Sequence, residues 1–347
     1  MTEEIAALRQ SIAGVLADMC GGRAVHRHVA GEAALDRALH TQAAGLGWLG
    51  IGVAEDHGGV GAGLAGSAML IGELARVAAP GSFLPTVAVA HVVERFCEPT
   101  MREGLLAGIV AGKVTGAIAA RPDDADHGDT VLGDRSGQRL LLGAFGGVGL
   151  ALWRCEDAAD ALAIWDMTRT LWTVPSDAQK LCDLPGEAAA CLKSVTSLLI
   201  AADCVGLAQG IFDRTVAYLN EREQFGVRIG SFQALKHRAA DMAAELAMLE
   251  AMLGHAVAAL EADDAEAAFW SAGCKASASD TAVAIASDCL QLHGGIGFTW
   301  EHDCHLFLKR ARLNQMLGAD NVAMRLRAFE ALAARALAGE RRGQVMA

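Results

Sequence analysis

Two stretches of this chain hold residue types at spacings that could do chemistry. The first runs Glu221-Arg-Glu-Gln-Phe-Gly-Val-Arg-Ile-Gly230 into Ser231-Phe-Gln-Ala-Leu-Lys-His-Arg-Ala-Ala-Asp-Met242, a connection between helical patterns that sets a guanidinium beside an aromatic ring. Arg222 there could grip a diphosphate through two parallel hydrogen bonds. Alternatively, Arg222 and Phe225 staple the turn, and spacing alone leaves both open. The second, His293-Gly-Gly-Ile-Gly-Phe298, directly ends a long helical pattern. Such an end calls for a left-handed residue to close its last carbonyls, and its glycines leave backbone N–H groups that could face a phosphate. Two other glycine-rich stretches, at 58–63 and 143–149, lack the strand, turn and helix order of a phosphate loop and read as turns. His302, Cys304 and His305 are ligand types, but only Glu301 and Asp303 stand near them, so no metal site is expected.

The elements that must position these stretches follow from apolar spacing. Residues 1–113 show helical periodicity broken at Gly58-Gly59 and Ala79-Pro80-Gly81, which predicts a helical N-terminal domain. Residues 114–185 change to short apolar runs, separated by Asp and Gly clusters: Gly116 to Ala120, Leu140 to Leu142, Val148 to Trp153, Leu162 to Trp165 and Leu171 to Val174. A shortened, β-rich middle domain is predicted. Residues 186–347 return to helical patterns over Ala188 to Leu219, Ser231 to Leu260, Ala265 to Leu292 and Asn321 to Leu337, which imply a C-terminal four-helix bundle. In the clearest, Phe232, Leu235, Met242, Leu246, Leu249, Leu253, Val257 and Leu260 keep to one stripe. Arg238, Asp241 and Glu245 beside it read as a solvated or interhelical charge set. The fold class is mainly α with a small β domain.

Composition narrows the partners. Of 347 residues 53% are apolar, and acidic residues outnumber basic ones 41 to 29, a net charge of −12. A nucleic-acid partner is therefore not expected. The nine cysteines form no CxxC pair, which fits reduced core thiols and a cytoplasmic location. The N-terminus lacks the basic-then-apolar order of a secretory signal. The most apolar stretch, Val195 to Phe212, is interrupted by Asp203 and Gln209 and reads as a buried helix, with no membrane segment.

Taken together, RxxFG from Arg222, then IGxFQxxKHxxADM, then QLHGGxGFT about sixty residues on resemble the C-terminal bundle of the acyl-CoA dehydrogenase family. Gly47-Trp-Leu-Gly-Ile-Gly-Val-Ala-Glu-Asp-His-Gly-Gly-Val-Gly61, with Glu73-Leu74-Ala75 after it, resembles that family's first domain. The similarity covers about residues 40–115 and 186–330. It implies a helical domain, a small β domain and a four-helix bundle, in a dimer or dimer of dimers that binds FAD between subunits. It also implies the chemistry: the flavin takes a hydride from the β carbon of an acyl-CoA thioester while a glutamate removes the α proton. Carried over by position, Arg222, Phe225 and Gln233 meet the diphosphate and adenosine side of FAD, and Gln291, Gly294 and Gly295 complete that surface. Electron-transferring flavoprotein is the implied oxidant.

The resemblance breaks in the middle domain. The family's flavin-facing Thr-Glu-Pro-x-x-Gly-Ser-Asp aligns with Ala120-Arg-Pro-Asp-Asp-Ala-Asp-His127, where only the proline is kept, and Arg139 to Ala144 lacks the Trp-x-Thr strand. The usual glutamate falls at Gly318, and the alternative family position falls at or beside Ala262, where a shift of one makes it Glu261 or Asp263; Glu261 is the catalytic candidate, with an exposed helix-end carboxylate as the alternative. Selective loss implies a subunit that offers its adenosine-side surface to a paralogous subunit in an α2β2 complex. The resemblance extends to such complexes acting on bulky CoA thioesters such as steroid side chains. The alternatives are a self-sufficient homo-oligomeric dehydrogenase and a non-enzymatic acyl-CoA-binding paralogue.

Overall fold

The computed structural model describes residues 3–121, 129–135, 137–145, 149–156, 160–176 and 178–337. Helices α1 (Glu3–Cys20), α2 (Ala24–Val29), α3 (Leu35–Gly45), α4 (Gly63–Arg76), α5 (Phe83–Phe96) and α6 (Pro99–Val110) come first. Strands β1 (Thr115–Ala119), β2 (Thr130–Gly133), β3 (Arg139–Gly143), β4 (Ala151–Cys155), β5 (Leu171–Thr173) and β6 (Gln179–Asp183) form one sheet in the order β5-β2-β1-β3-β4-β6. Only β1 and β3 run parallel, with Ala117 opposite Leu141; the other pairs are antiparallel. Alternation along the central strands splits their side chains between two cores. Ile118, Leu140 and Leu142 join the large core shared with the helices, whereas Ala117, Val131, Leu141 and Trp172 pack on the other face.

The long helices are α7 (Gly186–Glu221), α8 (Gln233–Glu261) and α9 (Ala267–His293), followed by α10 (Cys304–Met316) and α11 (Asn321–Leu337). A two-stranded hairpin, β7 (Glu223–Gln224) and β8 (Val227–Arg228), links α7 to α8. Gly206 and Gly210 on α7 face the backbone of Gly72 and Arg76, where any side chain would collide, so α7 and α4 meet at backbone contact. Both α7 and α8 are long and apolar enough to cross a membrane, but the apolar stretch of α7 is 89% buried inside the fold and that of α8 only 17%. The predicted stripe on α8 does pack, with Met242, Leu246 and Leu249 buried. Its opposite face, including Ala243, Ala244, Ala247 and Met248, stays exposed.

Three departures from the sequence reading have physical causes. The expected strand Leu162 to Trp165 does not form: only a bridge from Ala161 to Trp172 is present, and the Trp165 indole instead donates to the Lys309 carbonyl at 3.1 Å. Strands β2 and β6 were hidden, the first by its brevity and the second because an edge strand of Gln, Lys and Asp carries no apolar signal. Helix α10 was hidden because its buried face includes Arg310 and Asn314. Those side chains join Asp203 of α7 in a buried network. Arg310 donates to both Asp203 oxygens (2.5 and 3.2 Å) and to the Ala79 carbonyl (2.7 Å), Arg169 pairs with Asp203 at 2.8 Å, and Asn314 bonds Asp203 at 2.7 Å. Burial pushes the Asp203 carboxyl upward, but the two guanidiniums and their hydrogen bonds hold it below the ordinary carboxylate range. One carboxylate thereby ties the helical, β and C-terminal regions together.

Candidate flavin surface and the interdomain cleft

The ends of α7 and α9 are brought side by side by one stacked pair. Tyr218 lies over His293 with ring centroids 4.5 Å apart and its hydroxyl donates to the His293 carbonyl at 3.4 Å. Four residues beyond Tyr218 comes Arg222, and Gly294 directly follows His293. Arg222 is exposed and its backbone is fixed, its N–H bonded to Tyr218 O and its carbonyl accepting from Ile229, both at 2.9 Å. Phe225 holds the left-handed φ of +55° with its ring 92% exposed, touching Phe232 only edge-on at 6.3 Å. A stapling ring would be buried in its turn, and this one is exposed. Gln233, at the start of α8, and Gln291, in the last turn of α9, are both exposed.

Gly294 has φ +64° and ψ −143°. The positive φ was expected, but this ψ lies outside the left-handed helical well, in a region essentially confined to glycine. A methyl group on Gly294 or Gly295 would meet open space, so the backbone there is bare. A guanidinium, two carboxamides, a backbone uncovered at two glycines and an upturned aromatic ring match the diphosphate and adenosine end of a dinucleotide, while the Gly294 N–H is given to the Gln291 carbonyl. Arg238 of α8 pairs with Asp288 of α9 and braces this end of the bundle, while Asp241 and Glu245 are exposed.

The cleft between the sheet and the bundle is different. Its cavity measures about 150 Å³ and is lined by Ile118, Ala119, Leu142, Thr196, Ser197 and Gly318, among others. That is below the roughly 300–1,000 Å³ of typical small-molecule pockets. Lys193 and Arg327 are its titratable lining groups; no Asp or Glu lines it among the described residues. Gly318, where the family glutamate is expected, holds φ +74°, and its N–H donates to the Ala120 carbonyl at 2.7 Å. Lys275 of α9 fixes the same loop, donating to Gln315 O (3.0 Å), Ala319 O (2.7 Å) and Asn321 Oδ1 (2.9 Å). Burial pulls the Lys275 ammonium down to about 8. The flavin-facing stretch Pro122 to His127 and part of the 143–149 loop lie outside the described residues. Among the described residues this lining offers no carboxylate to act as a base.

Glu261 is placed elsewhere. Its carboxylate accepts the Ala65 N–H at 2.9 Å and so caps the first turn of α4, whose own Ala62 offers no side-chain acceptor. It is not among the residues lining the cleft. Sequence reasoning missed this role because the two partners lie 196 residues apart. A second cavity of about 400 Å³ lies between α1, α4, α7 and α8, with Met69, Val205, Leu253 and the Arg9–Glu73 ion pair in its walls.

Residues 2–113 match the acyl-CoA dehydrogenase N-terminal domain and residues 194–336 the acyl-CoA dehydrogenase C-terminal domain. Acyl-CoA dehydrogenase IpdE2 of Mycobacterium tuberculosis (strain ATCC 25618 / H37Rv) is 32% identical over 89% of this chain and 91% of its own. Among solved structures, a variant of the Tcur3481–Tcur3483 steroid ACAD superposes with a TM-score of 0.84 at 23% identity, over 96% of this chain and 99% of the other. An acyl-CoA dehydrogenase from Bacillus anthracis, complexed with FAD, gives 0.83 at 18% identity over 98% and 68%. With both terminal domains matched and a relative aligned along nearly its whole length, the chain belongs to the acyl-CoA dehydrogenase family.

Proposed function

We propose that this chain is one subunit of an FAD-dependent acyl-CoA dehydrogenase, working beside a paralogous subunit in an α2β2 complex. Bound FAD supplies the hydride acceptor for the β carbon of the acyl-CoA thioester. This chain's part is to hold the far end of that cofactor. Arg222 neutralises diphosphate charge, the uncovered Gly295 backbone lets it approach closely, Gln233 and Gln291 fix its register, and Phe225 covers the adenosine. The paralogue holds the ring, the base and the acyl group, a bulky thioester such as a steroid side-chain CoA. Electron-transferring flavoprotein takes the electrons.

The observation that carries this reading is the contrast within one chain: an open surface of exposed polar groups, and a cleft without a carboxylate among its described lining. Two further features support it. The exposed apolar face of α8 suits a second helical subunit. The steroid ACAD of the same fold carries a name that joins two components.

The test is purification of this protein alone and after co-expression with an adjacent dehydrogenase paralogue, followed by the flavin spectrum and subunit ratio. Flavin only in the mixed complex, at one per pair of chains, is the expected result. An active homo-oligomer with one FAD per chain would overturn it.

A further inference from the structure

From sequence no metal site is expected at His302, Cys304 and His305, because only Glu301 and Asp303 stand near them. Folding brings His293 beside His302 and Cys304. His293, at the end of α9, Cys304, at the start of α10, and His302 between them each offer a ligand atom, and these atoms all lie within 4.8 Å of one another. Cys304 Sγ is 3.4 Å from His293 Nδ1, and the His293 and His302 rings are 4.3 Å apart.

His293 offers an unengaged nitrogen lone pair. His293 is 3% exposed, and its Nδ1 lies 2.8 Å from the Cys289 carbonyl. With the proton on Nδ1, donated to that carbonyl, Nε2 carries the lone pair, and Nε2 is buried without a hydrogen-bond partner. A ring whose other nitrogen donates to a backbone carbonyl is the usual arrangement of a metal-bound histidine. His302 Nδ1 accepts the Cys304 N–H at 3.3 Å, a long bond that a metal would replace, and His302 is half-buried. Asp303 is engaged elsewhere, with His26 Nε2 at 2.5 Å and Arg214 at 3.5 Å.

We infer that His293, His302 and Cys304 form a three-ligand site for a divalent transition metal of zinc-like softness, with the fourth position open to water. Two imidazoles and a thiolate suit zinc better than magnesium or calcium, which take oxygen ligands. Tetrahedral bonds of about 2.0–2.3 Å put ligand atoms roughly 3.3–3.8 Å apart, so side-chain rotation closes the set. On binding, the Cys304 S–H bond breaks, a metal–sulfur bond forms, and the proton leaves to solvent. The site clamps residues 293–304, the segment that begins the bare glycine surface.

The experiment uses the full-length protein, stripped with chelator and titrated with zinc and with cobalt(II). One equivalent of zinc, about one proton released per metal, a thiolate-to-cobalt charge-transfer band and a rise in melting temperature are expected. Cys304→Ser and His302→Ala weaken zinc on the order of tenfold or more, while His305→Gln, outside the set, retains it. Circular dichroism confirms that each variant is folded. Two substitutions are made so that one misfolded variant does not end the test. Substoichiometric zinc, a cobalt complex without the thiolate band, or undiminished binding by either folded variant overturns the proposal.

Discussion

Gly318 and Phe225 both hold a left-handed backbone at positions that the family resemblance ties to the active site, and they are treated in opposite ways. In the cleft the position is Gly318, at φ +74°, tucked against Met324 and tied to Ala120. On the outer surface it is Phe225, at φ +55°, with its ring 92% exposed. A left-handed conformation costs a non-glycine residue roughly 1–2 kcal/mol. The cleft avoids that strain and closes. The surface accepts it and buries almost nothing in return, so folding does not explain Phe225, whereas a ligand stacked on the ring does.

The contrast predicts that substitutions on the cleft side unfold the protein and those on the surface empty it. The largest effect belongs to Asp203→Ala, which leaves Arg169 and Arg310 buried without their carboxylate. Breaking a buried pair from one side costs about 3–5 kcal/mol, and urea unfolding should read a loss of that size. Gly318→Ala comes next, with about 1–2 kcal/mol lost to its φ of +74° and to a methyl 3.3 Å from Met324 Cε. Phe225→Gly reverses the sign. Relief of the left-handed strain stabilises the chain by up to about 1 kcal/mol, while flavin retention in the mixed complex falls. If Phe225→Gly instead destabilised the chain and left flavin retention intact, the division would fail.

How much of this could be read in advance depended on whether a feature was local. The long helices announced themselves through their apolar stripes, and the candidate surface residues Arg222, Phe225, Gln233, Gln291, Gly294 and Gly295 stand in short local motifs. Helix α10 did not, because Arg310 and Asn314 fill its core positions and are made compatible with burial by Asp203, more than a hundred residues away. Lys275 is the same case: an ammonium inside a helix core is legible only once the three acceptors around it are known. The triad His293, His302 and Cys304 escaped because its first member belongs to a motif that was read for its glycines.

Acid sharpens the comparison in another way, since it acts on the frame rather than the outer surface. Half-buried His91 on α5 is held down to about 4, first by burial and then by Arg95 nearby. Between that value and the ordinary 6.5 the unfolded chain binds the proton and the folded one does not. Stability present above pH 6.5 is therefore lost as pH falls toward 4. Replacing His91 with Gln should flatten this part of the pH–stability curve, a change readable from urea midpoints at pH 4.5 and 7.

The smallest expected effect is the one that separates a charge kept for folding from one kept for chemistry. Glu261→Gln preserves an oxygen for the Ala65 N–H and removes only the negative charge at the start of α4. A few tenths of a kcal/mol, up to about 1, is the scale of a carboxylate at a helix N-terminus. A general base cannot spare its charge in that way: its amide loses turnover by orders of magnitude at unchanged stability. Melting temperature and turnover of the mixed complex, measured on the same variant, therefore assign Glu261 directly. We expect a small stability loss with turnover kept. Turnover abolished with flavin still bound would move the base to this chain and make the closed cleft, rather than Glu261, the feature in need of explanation.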